Sequence, residues 1–223
     1  MVVRGSSFTS KYTILQPFTA APIEPGQVLL TFDDGPVASE NNTLQLLDIL
    51  EEHHTHACFC VIGKLAEANP SIIQEISQRG HTLVNHTYSH KISINYNPAK
   101  LKEDIERCDQ ILKEITGEAP RYFRPVAGAL SKALLLIKED ITKQLLPVTF
   151  FAFDTHIKAN EKSLSQLLED NIQTIEKDNG GILVLHEQRY GPGEESKTRT
   201  WLPDFVDALL SQLKKKQYVF THP

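Results

Sequence analysis

Apolar runs of strand length alternate along the chain with segments of helical spacing, and this alternation predicts an α/β fold. The predicted strands cover residues 27–32, 57–62, 81–85, 121–124, 147–153, 182–185 and 218–220. Between them, amphipathic spacing predicts helices over residues 42–53, 71–79, 98–116, 131–144, 164–177 and 203–216. Because most strands are apolar at successive positions, we expect a largely parallel sheet that helices cover on both sides.

Polar residues stand at the carboxyl ends of these predicted strands. Five strands end in or are followed by side chains suited to acid–base or ligand chemistry, namely Asp33 with Asp34, His86, Arg124, Asp154 and His186. Barrel enzymes build their sites from the ends of several strands, whereas an open doubly wound sheet concentrates its site at one switch point. The distribution therefore favours a barrel.

Length and composition indicate one globular domain. The chain has 223 residues, of which 40% are hydrophobic, and it contains neither an internal repeat nor a linker that would separate two domains. Residues 1–26 are irregular and rich in Pro, Ser and Thr, so we expect them to wrap over a domain formed by residues 27–223.

The charge pattern argues against nucleic acid as a partner. The net charge is -5, and apart from the run Lys214-Lys215-Lys216 the basic residues are scattered, so no basic stripe is formed. No window is apolar enough to span a bilayer, and the start of the chain lacks the charged and apolar regions of a signal peptide. The residues alone therefore leave the localisation open.

The three cysteines predict no disulfide framework. Cys58, Cys60 and Cys108 are odd in number, and the first two lie in a strand-like run rather than in a Cys-x-x-Cys pattern. We interpret all three as small buried hydrophobic residues.

The adjacent carboxylates Asp33 and Asp34 are the first candidates for chemistry. Neighbouring side chains of a strand point to opposite faces, so these two can share one site only where the strand breaks. Gly35-Pro36 provides such a break. The alternative is that one of the two aspartates only caps the following turn or helix.

His86 and His90 are the second candidates. They are four residues apart, so on a helical turn both imidazoles would project from one face and could bind one metal ion. With Asp34 they would form a set of two histidines and one carboxylate, which suits catalytic Zn²⁺ or another first-row divalent ion. The alternative is that His86 caps a loop and His90 is solvated. Tyr88, between them, is either a packed aromatic or a residue that faces the substrate.

Four segments resemble, in order, the signatures of the polysaccharide deacetylases, the NodB-homology enzymes of carbohydrate esterase family 4. They are Thr31-Phe32-Asp33-Asp34-Gly35-Pro36, Asn85-His86-Thr87-Tyr88-Ser89-His90, Phe123-Arg124-Pro125 and Ile182-Leu183-Val184-Leu185-His186. The resemblance extends over about residues 27–220. It implies a distorted (β/α) barrel of about seven parallel strands in a single domain.

The resemblance also implies a metal. A divalent ion, most often Zn²⁺ with Co²⁺, Ni²⁺ or Mn²⁺ as alternatives, would be held by Asp34, His86 and His90. A carboxylate that binds a metal retains little basicity, so a general base must be a second carboxylate outside the coordination sphere. Asp33 is placed to be that second carboxylate.

The family's catalytic roles fall on four further positions. Asp33 would be the general base that deprotonates the attacking water, and Arg124 would pair with it. His186 would be the general acid that protonates the departing amine. A backbone N–H near Ala127 would stabilise the oxyanion.

Two segments depart from the family pattern. Where the family reads Asp-x-x-Asp-Trp, this chain has Asp154-Thr155-His156-Ile157-Lys158, so the carboxylate that orients the acid histidine aligns with Ile157. Either Asp154 or His156 would have to support His186, or Asp154 is only a strand-end cap. After Arg124-Pro125, the second proline and aromatic are replaced by Val126-Ala127, which predicts a different sugar site.

The leading hypothesis is a metal-dependent N-deacetylase that releases acetate from N-acetylhexosamine in a glycan such as peptidoglycan or a chitin-like oligomer. The resemblance places such an enzyme outside the cytoplasm or at the cell envelope. A second hypothesis changes the substrate to a small cyclic amide or an N-formyl sugar. A third is a glycan-binding relative of the fold without turnover.

Overall fold

A central parallel sheet organises the part of the chain that the computed structural model describes, residues 23–152, 154, 161–190 and 197–223. Strands are numbered in chain order as β1 (Gln27–Gly35), β2 (Cys58–Val61), β3 (Thr82–Asn85), β4 (Tyr122–Phe123), β5 (Gln144–Leu145), β6 (Phe150–Phe151), β7 (Gly181–His186), β8 (Gln188–Arg189), β9 (Lys197–Thr198) and β10 (Val219–Phe220). The sheet runs in the order β5-β4-β3-β2-β1-β7-β6, with β10 paired to the start of β1. Strands β8 and β9 form a separate antiparallel pair.

The helices between the strands cover the outer face of this sheet. They are α1 (Asn42–Glu52), α2 (Gly63–Ala68), α3 (Pro70–Gln78), α4 (Pro98–Thr116), α5 (Lys132–Ile137), α6 (Glu161–Asp178) and α7 (Leu202–Lys215). The parallel strands and the helical crossovers confirm the predicted α/β architecture of a distorted barrel. In the described residues, no hydrogen bonds join β5 to β6, so the barrel is not closed by a continuous ladder.

The two faces of β1 separate the helix-covered core from the barrel interior. Val28, Leu30 and Phe32 pack with the helices in the larger core. Leu29 faces the other way and packs with Cys58 and Cys60 among other residues of the neighbouring strands. Because side chains alternate along a strand, Thr31 and Asp33 continue this inner face toward the carboxyl end of the barrel.

The cysteines behave as the sequence predicts. All three are buried and free, and burial raises the pKa of Cys58 to about 12 and that of Cys108 well above its ordinary value, beyond any physiological pH. They therefore serve the packing as protonated, inert thiols.

The prediction of a helix over residues 131–144 is wrong in its second half. Helix α5 ends at Ile137, and Gln144 begins the edge strand β5, where its N–H donates to the carbonyl of Arg121 over 3.1 Å. Lys143 is also drawn to Asp109, with Nζ and Oδ1 2.8 Å apart. Strand pairing thus overrides the local leucine periodicity. Among the described residues of the predicted strand 147–153, Phe150–Phe151 form β6 and pair with β7.

Helix α2 is an element that the sequence pattern did not indicate. It is only six residues long and begins directly after β2. The remaining predicted helices and strands are found within three residues of their predicted ends. Most of the predicted wrapping segment, residues 1–22, lies outside the described residues. In the described part of the chain, no helix is both long and apolar enough to cross a membrane.

Candidate active site

A bulge in β1 brings the two adjacent aspartates to one place. The pairing with β2 shifts register between Asp33 and Gly35, and Asp34 takes a left-handed backbone conformation with φ of 69°. Both carboxylates therefore face the same imidazole: Nε2 of His86 lies 3.9 Å from Oδ2 of Asp33 and 3.6 Å from Oδ1 of Asp34. The predicted break in the strand is confirmed, although β1 continues through the break to Gly35.

Asp34, His86 and His90 form a group that fits a metal ion. Their ligand atoms all lie within 4.8 Å of one another, and Nε2 of His90 is 3.0 Å from Oδ1 of Asp34. That oxygen is buried and accepts no hydrogen bond from the described residues. Burial alone would raise the pKa of Asp34, but the two imidazoles hold it well below its ordinary value. A buried, ionised carboxylate beside two imidazole nitrogens is a donor set that suits Zn²⁺.

The ring of His86 is oriented by the backbone behind it. Its Nδ1 lies 2.8 Å from the carbonyl oxygen of Arg124 and donates to it, which leaves the lone pair of Nε2 directed at Asp34. A metal-ligating histidine generally donates its other ring N–H to such an acceptor. The tautomer required for metal binding is thus set by the protein.

The loop from His86 to His90 is not helical, so the prediction of a helical turn is wrong. Thr87 and His90 both have positive φ, 68° and 53°, and the backbone curls back on itself. Asn85 Oδ1 accepts from the N–H of Thr87 over 2.8 Å, and Asp104 Oδ2 accepts from the N–H groups of Tyr88 and Ser89, each over 2.9 Å. These side-chain acceptors replace helical hydrogen bonds and still bring the two imidazoles together.

Arg124 binds the carboxylate oxygen of Asp33 that does not face His86. Its Nη1 donates to Oδ1 of Asp33 over 2.6 Å and to Oγ1 of Thr31 over 2.6 Å, and Nη2 donates to the carbonyl of Pro147 over 3.2 Å. The side chain is 1% exposed. Burial would raise the pKa of Asp33, but the guanidinium charge lowers it below its ordinary value. Asp33 is therefore ionised at neutral pH.

His186 closes the opposite side of the site, and Asp154 is its partner. Strand pairing places His186 beside Asp33, and its Nδ1 lies 2.9 Å from Oδ1 of Asp154. Oδ2 of Asp154 also accepts from the N–H of His186 over 2.8 Å. Burial lowers the pKa of His186, but the carboxylate of Asp154 raises it more, to about 9. Of the two candidate partners, His156 lies outside the described residues.

Arg199 is a residue of this group that the sequence did not reveal. Its Nη1 forms a short ion pair with Oδ2 of Asp154 and contacts the carbonyl of His186 at 3.3 Å, and the side chain is 7% exposed. No local pattern marks it, because it reaches Asp154 from a segment 45 residues further along the chain. Its charge compensates the buried carboxylate and fixes the orientation of Asp154.

Tyr88 and Ala127 lie at the periphery. The hydroxyl of Tyr88 donates to Oε2 of Glu67 over 2.8 Å and accepts from Arg107 over 2.8 Å. Its hydrogen bonds are therefore made to side chains on the outer surface of α2 and α4. Ala127 is exposed in the short turn Val126–Gly128 with φ of 58°. A second tyrosine, Tyr190, packs edge-on against His90 with ring centres 5.4 Å apart.

Comparison with known proteins identifies the family. The sequence model described as polysaccharide deacetylase matches residues 21–146. The chain belongs to the polysaccharide deacetylase family. This confirms the family that the motifs resemble, whose members are hydrolases of acetyl groups on polysaccharides.

Relatives and solved structures extend the match beyond the family model. A peptidoglycan-N-acetylglucosamine deacetylase of Bacillus cereus is 29% identical, over 88% of this chain and 66% of its own length. A second protein of the same description and organism is 28% identical over 86% of this chain and 84% of its own. A crystal structure described as a peptidoglycan N-acetylglucosamine deacetylase superposes with a TM-score of 0.74 and 26% identity, covering 90% of this chain and 87% of that one. This chain thus spans about two thirds of the first relative.

Proposed function

We propose that this protein is a metal-dependent N-deacetylase that releases acetate from N-acetylhexosamine residues of peptidoglycan. The observation that carries the proposal is that the two adjacent carboxylates contact different partners. Asp34 faces two imidazoles, 3.0 and 3.6 Å from their Nε2 atoms, whereas Asp33 is bonded to Arg124 at 2.6 Å. A hydrolase that uses a metal needs one carboxylate as ligand and another as base.

Asp34, His86 and His90 would hold the ion, which when bound polarises the carbonyl and lowers the pKa of water toward 7. Zn²⁺ agrees with the nitrogen-rich donor set, and Co²⁺, Ni²⁺ or Mn²⁺ are the alternatives. The free oxygen of Asp34 and the fixed tautomer of His86 support this assignment.

Asp33 is the general base of the proposed reaction. The charge of Arg124 keeps Asp33 ionised, and the bond from Arg124 occupies only Oδ1. Oδ2 remains on the side of His86, where it accepts a proton from the water that attacks the acetamide. Arg124 sets the direction of that oxygen by holding the other one.

His186 is the general acid. Its pKa of about 9 keeps the ring protonated at neutral pH, so Nε2 can donate a proton to the sugar nitrogen as the amide bond breaks. Asp154 holds the ring through Nδ1. The backbone N–H of Ala127 is a proposed donor to the developing oxyanion.

The substrate class is inferred from the relatives. Both Bacillus cereus proteins are described as acting on peptidoglycan N-acetylglucosamine. We therefore propose a peptidoglycan substrate and a role at the cell envelope, with residues 27–223 as the catalytic domain. A glycan-binding protein without turnover is less favoured. That hypothesis rests on the departure from the family pattern at the partner of His186, and Asp154 contacts His186 in that role.

Acetate release from purified peptidoglycan tests the proposal. We expect the Zn²⁺-loaded protein to release acetate, to stop after treatment with a chelator and to resume when Zn²⁺ is restored. Asp33→Asn serves as the inactive control. Release from a soluble N-acylated or N-formylated monomer, with none from peptidoglycan, chitin oligomers or other glycans, would instead show a small-molecule amidase. No release from any of these substrates by metal-loaded protein would contradict the proposal.

A further inference from the structure

We propose that Glu187 and Gln188 are positioning residues that hold the β1 bulge, and with it Asp34, in the conformation that binds the metal ion. The inference rests on the proposed metal centre. It concerns two side chains that take no part in the proton transfers assigned above. The two residues follow His186 in the chain, and they contact the backbone of the bulge rather than the ligand atoms of the site.

The segment after β7 binds the bulge at two successive carbonyl groups. The N–H of Glu187 donates to the carbonyl of Asp33 over 3.0 Å, and Nε2 of Gln188 donates to the carbonyl of Asp34 over 2.7 Å. On the other side, the N–H of Ile62 donates to the carbonyl of Gly35 over 2.9 Å. Three consecutive peptide groups of the bulge are therefore fixed by hydrogen bonds, which maintain the positive φ of Asp34.

The carboxyl group of Glu187 fills the space beside Gly35. A methyl group built on Gly35 would overlap Oε1 of Glu187 and would lie 2.7 Å from its carboxyl carbon. The backbone of Gly35 is not in the left-handed region, so its conformation alone would accept alanine. A side chain at residue 35 could therefore be accepted only if the carboxyl group of Glu187 moved away.

Glu187 itself is held rigidly. Its side chain is fully buried, and Oγ1 of Thr43 donates a short hydrogen bond to Oε2. Oε1, the oxygen against Gly35, has no hydrogen-bond partner among the described residues. A buried carboxyl oxygen without a partner is costly. Its contact with the bulge therefore identifies a steric role, in which the length and shape of the side chain matter.

A cycle of four variants tests this role through metal affinity. We expect Glu187→Gln, which keeps the shape of the side chain, to bind Zn²⁺ with nearly the affinity of the wild type in competition with a chromophoric chelator. Glu187→Ala leaves the bulge unsupported, and we expect an affinity loss of about 10- to 100-fold, as for other residues that orient a metal ligand. Gly35→Ala forces the bulge against Glu187 and should lose more.

The double variant Gly35→Ala with Glu187→Ala is the decisive member. Because the alanine at residue 187 removes the overlapping atoms, its affinity should recover to that of Glu187→Ala alone. The temperature of unfolding in chelator, measured with far-ultraviolet circular dichroism, should show the same recovery.

The inference is overturned if Glu187→Ala binds Zn²⁺ as tightly as the wild type, or if Gly35→Ala is equally harmful with and without Glu187. The first result would leave the proposed metal site intact. A wild-type protein that binds no divalent ion would contradict the proposed function instead, while the unfolding temperatures would still decide whether Gly35 and Glu187 are coupled.

Discussion

The proposed metal-binding side of the site contains two short sequence motifs, whereas the acid side is assembled from single residues of separate segments. On the metal side, Asp33 adjoins Asp34, and His86 and His90 lie within one short loop. On the acid side, Asp154 contacts His186, which lies 32 residues later in the chain, and Arg199, which lies 45 residues later. Short spacing leaves a pattern that can be recognised in the sequence. Contacts between the ends of separate strands leave no such pattern, even when their charges and hydrogen bonds are equally well paired.

The two sides also differ in how charge is balanced. Asp33 and Asp34 are buried carboxylates kept ionised by Arg124 and by two imidazoles. On the acid side, one buried carboxylate serves both a cation and an imidazole, and it raises the pKa of the latter to about 9. In the proposed reaction, one side would therefore provide the base and the other the acid.

The largest effect is expected from the base. Asp33→Asn removes the proposed proton acceptor but leaves the three proposed metal ligands in place. The rate of acetate release should fall by about 100- to 10,000-fold, the usual contribution of general acid–base catalysis. Steady-state kinetics with the Zn²⁺-loaded variant measures this. A variant with near-normal turnover would show that Asp33 is not the base.

Asp154→Asn tests the acid side and should have the next largest effect. Without the carboxylate charge, burial lowers the pKa of His186, so less of the ring is protonated at neutral pH. We expect a loss of about 10- to 100-fold, part of what a general acid contributes. In the pH profile of kcat, the basic limb should move from near pH 9 to lower pH.

The same shift predicts a change in stability. Because the folded-state pKa of His186 is raised from 6.5 to about 9, the stability it contributes is fully present below 6.5 and is lost as the pH rises through 9. Asp154→Asn should remove this component of the pH dependence of unfolding. An unchanged kcat profile and an unchanged stability profile would exclude the Asp154–His186 pair.

Arg199→Met should reduce the rate less than Asp154→Asn does. It should also shift the basic limb of the pH profile in the opposite direction. The loss of one charged hydrogen bond should lower the free energy of unfolding by about 1.5–3 kcal/mol. Removing the cation leaves Asp154 free to stabilise the protonated imidazole, so the basic limb should move to higher pH. Arg199→Lys keeps the charge and should show little movement of the limb. A downward shift in Arg199→Met would contradict this arrangement.

The fold could be predicted from the sequence wherever the local pattern and the tertiary contacts agree. Helix α4, for example, occupies Pro98–Thr116 as predicted, because its apolar spacing and its glycine stop coincide with its packing. The segment after Ile137 could not be predicted, since the pairing of Gln144 with Arg121 overrides its helical composition. Helix α2 was missed because six residues carry too little periodicity.

The candidate site shows the same limit. The motifs indicated the carboxylates and histidines that lie together, but they suggested a helical turn for a loop that Asp104 holds through two backbone N–H groups. Arg199 and Glu187 could not be found, because each acts on a residue far away in sequence. Their roles follow from the barrel, which brings strand ends together.

The smallest effect is expected at Tyr88, whose substrate role stays a prediction. Its hydroxyl is bonded to Glu67 and Arg107, so Tyr88→Phe should change the free energy of unfolding by about 0.5–1.5 kcal/mol. Acetate release should be unaffected. Denaturant unfolding and kinetics on the same preparation measure both. A selective rise in KM would instead place Tyr88 at the substrate.

The central claim is that adjacent aspartates have different partners, and the metal content of two matched variants tests it most directly. Asp33→Asn and Asp34→Asn, purified side by side, remove the same charge one residue apart. We predict that Asp33→Asn still binds one divalent ion per chain but has lost its turnover. Asp34→Asn should have lost both the ion and the turnover. Equal metal content in the two variants, or loss of the ion only from Asp33→Asn, would contradict the account.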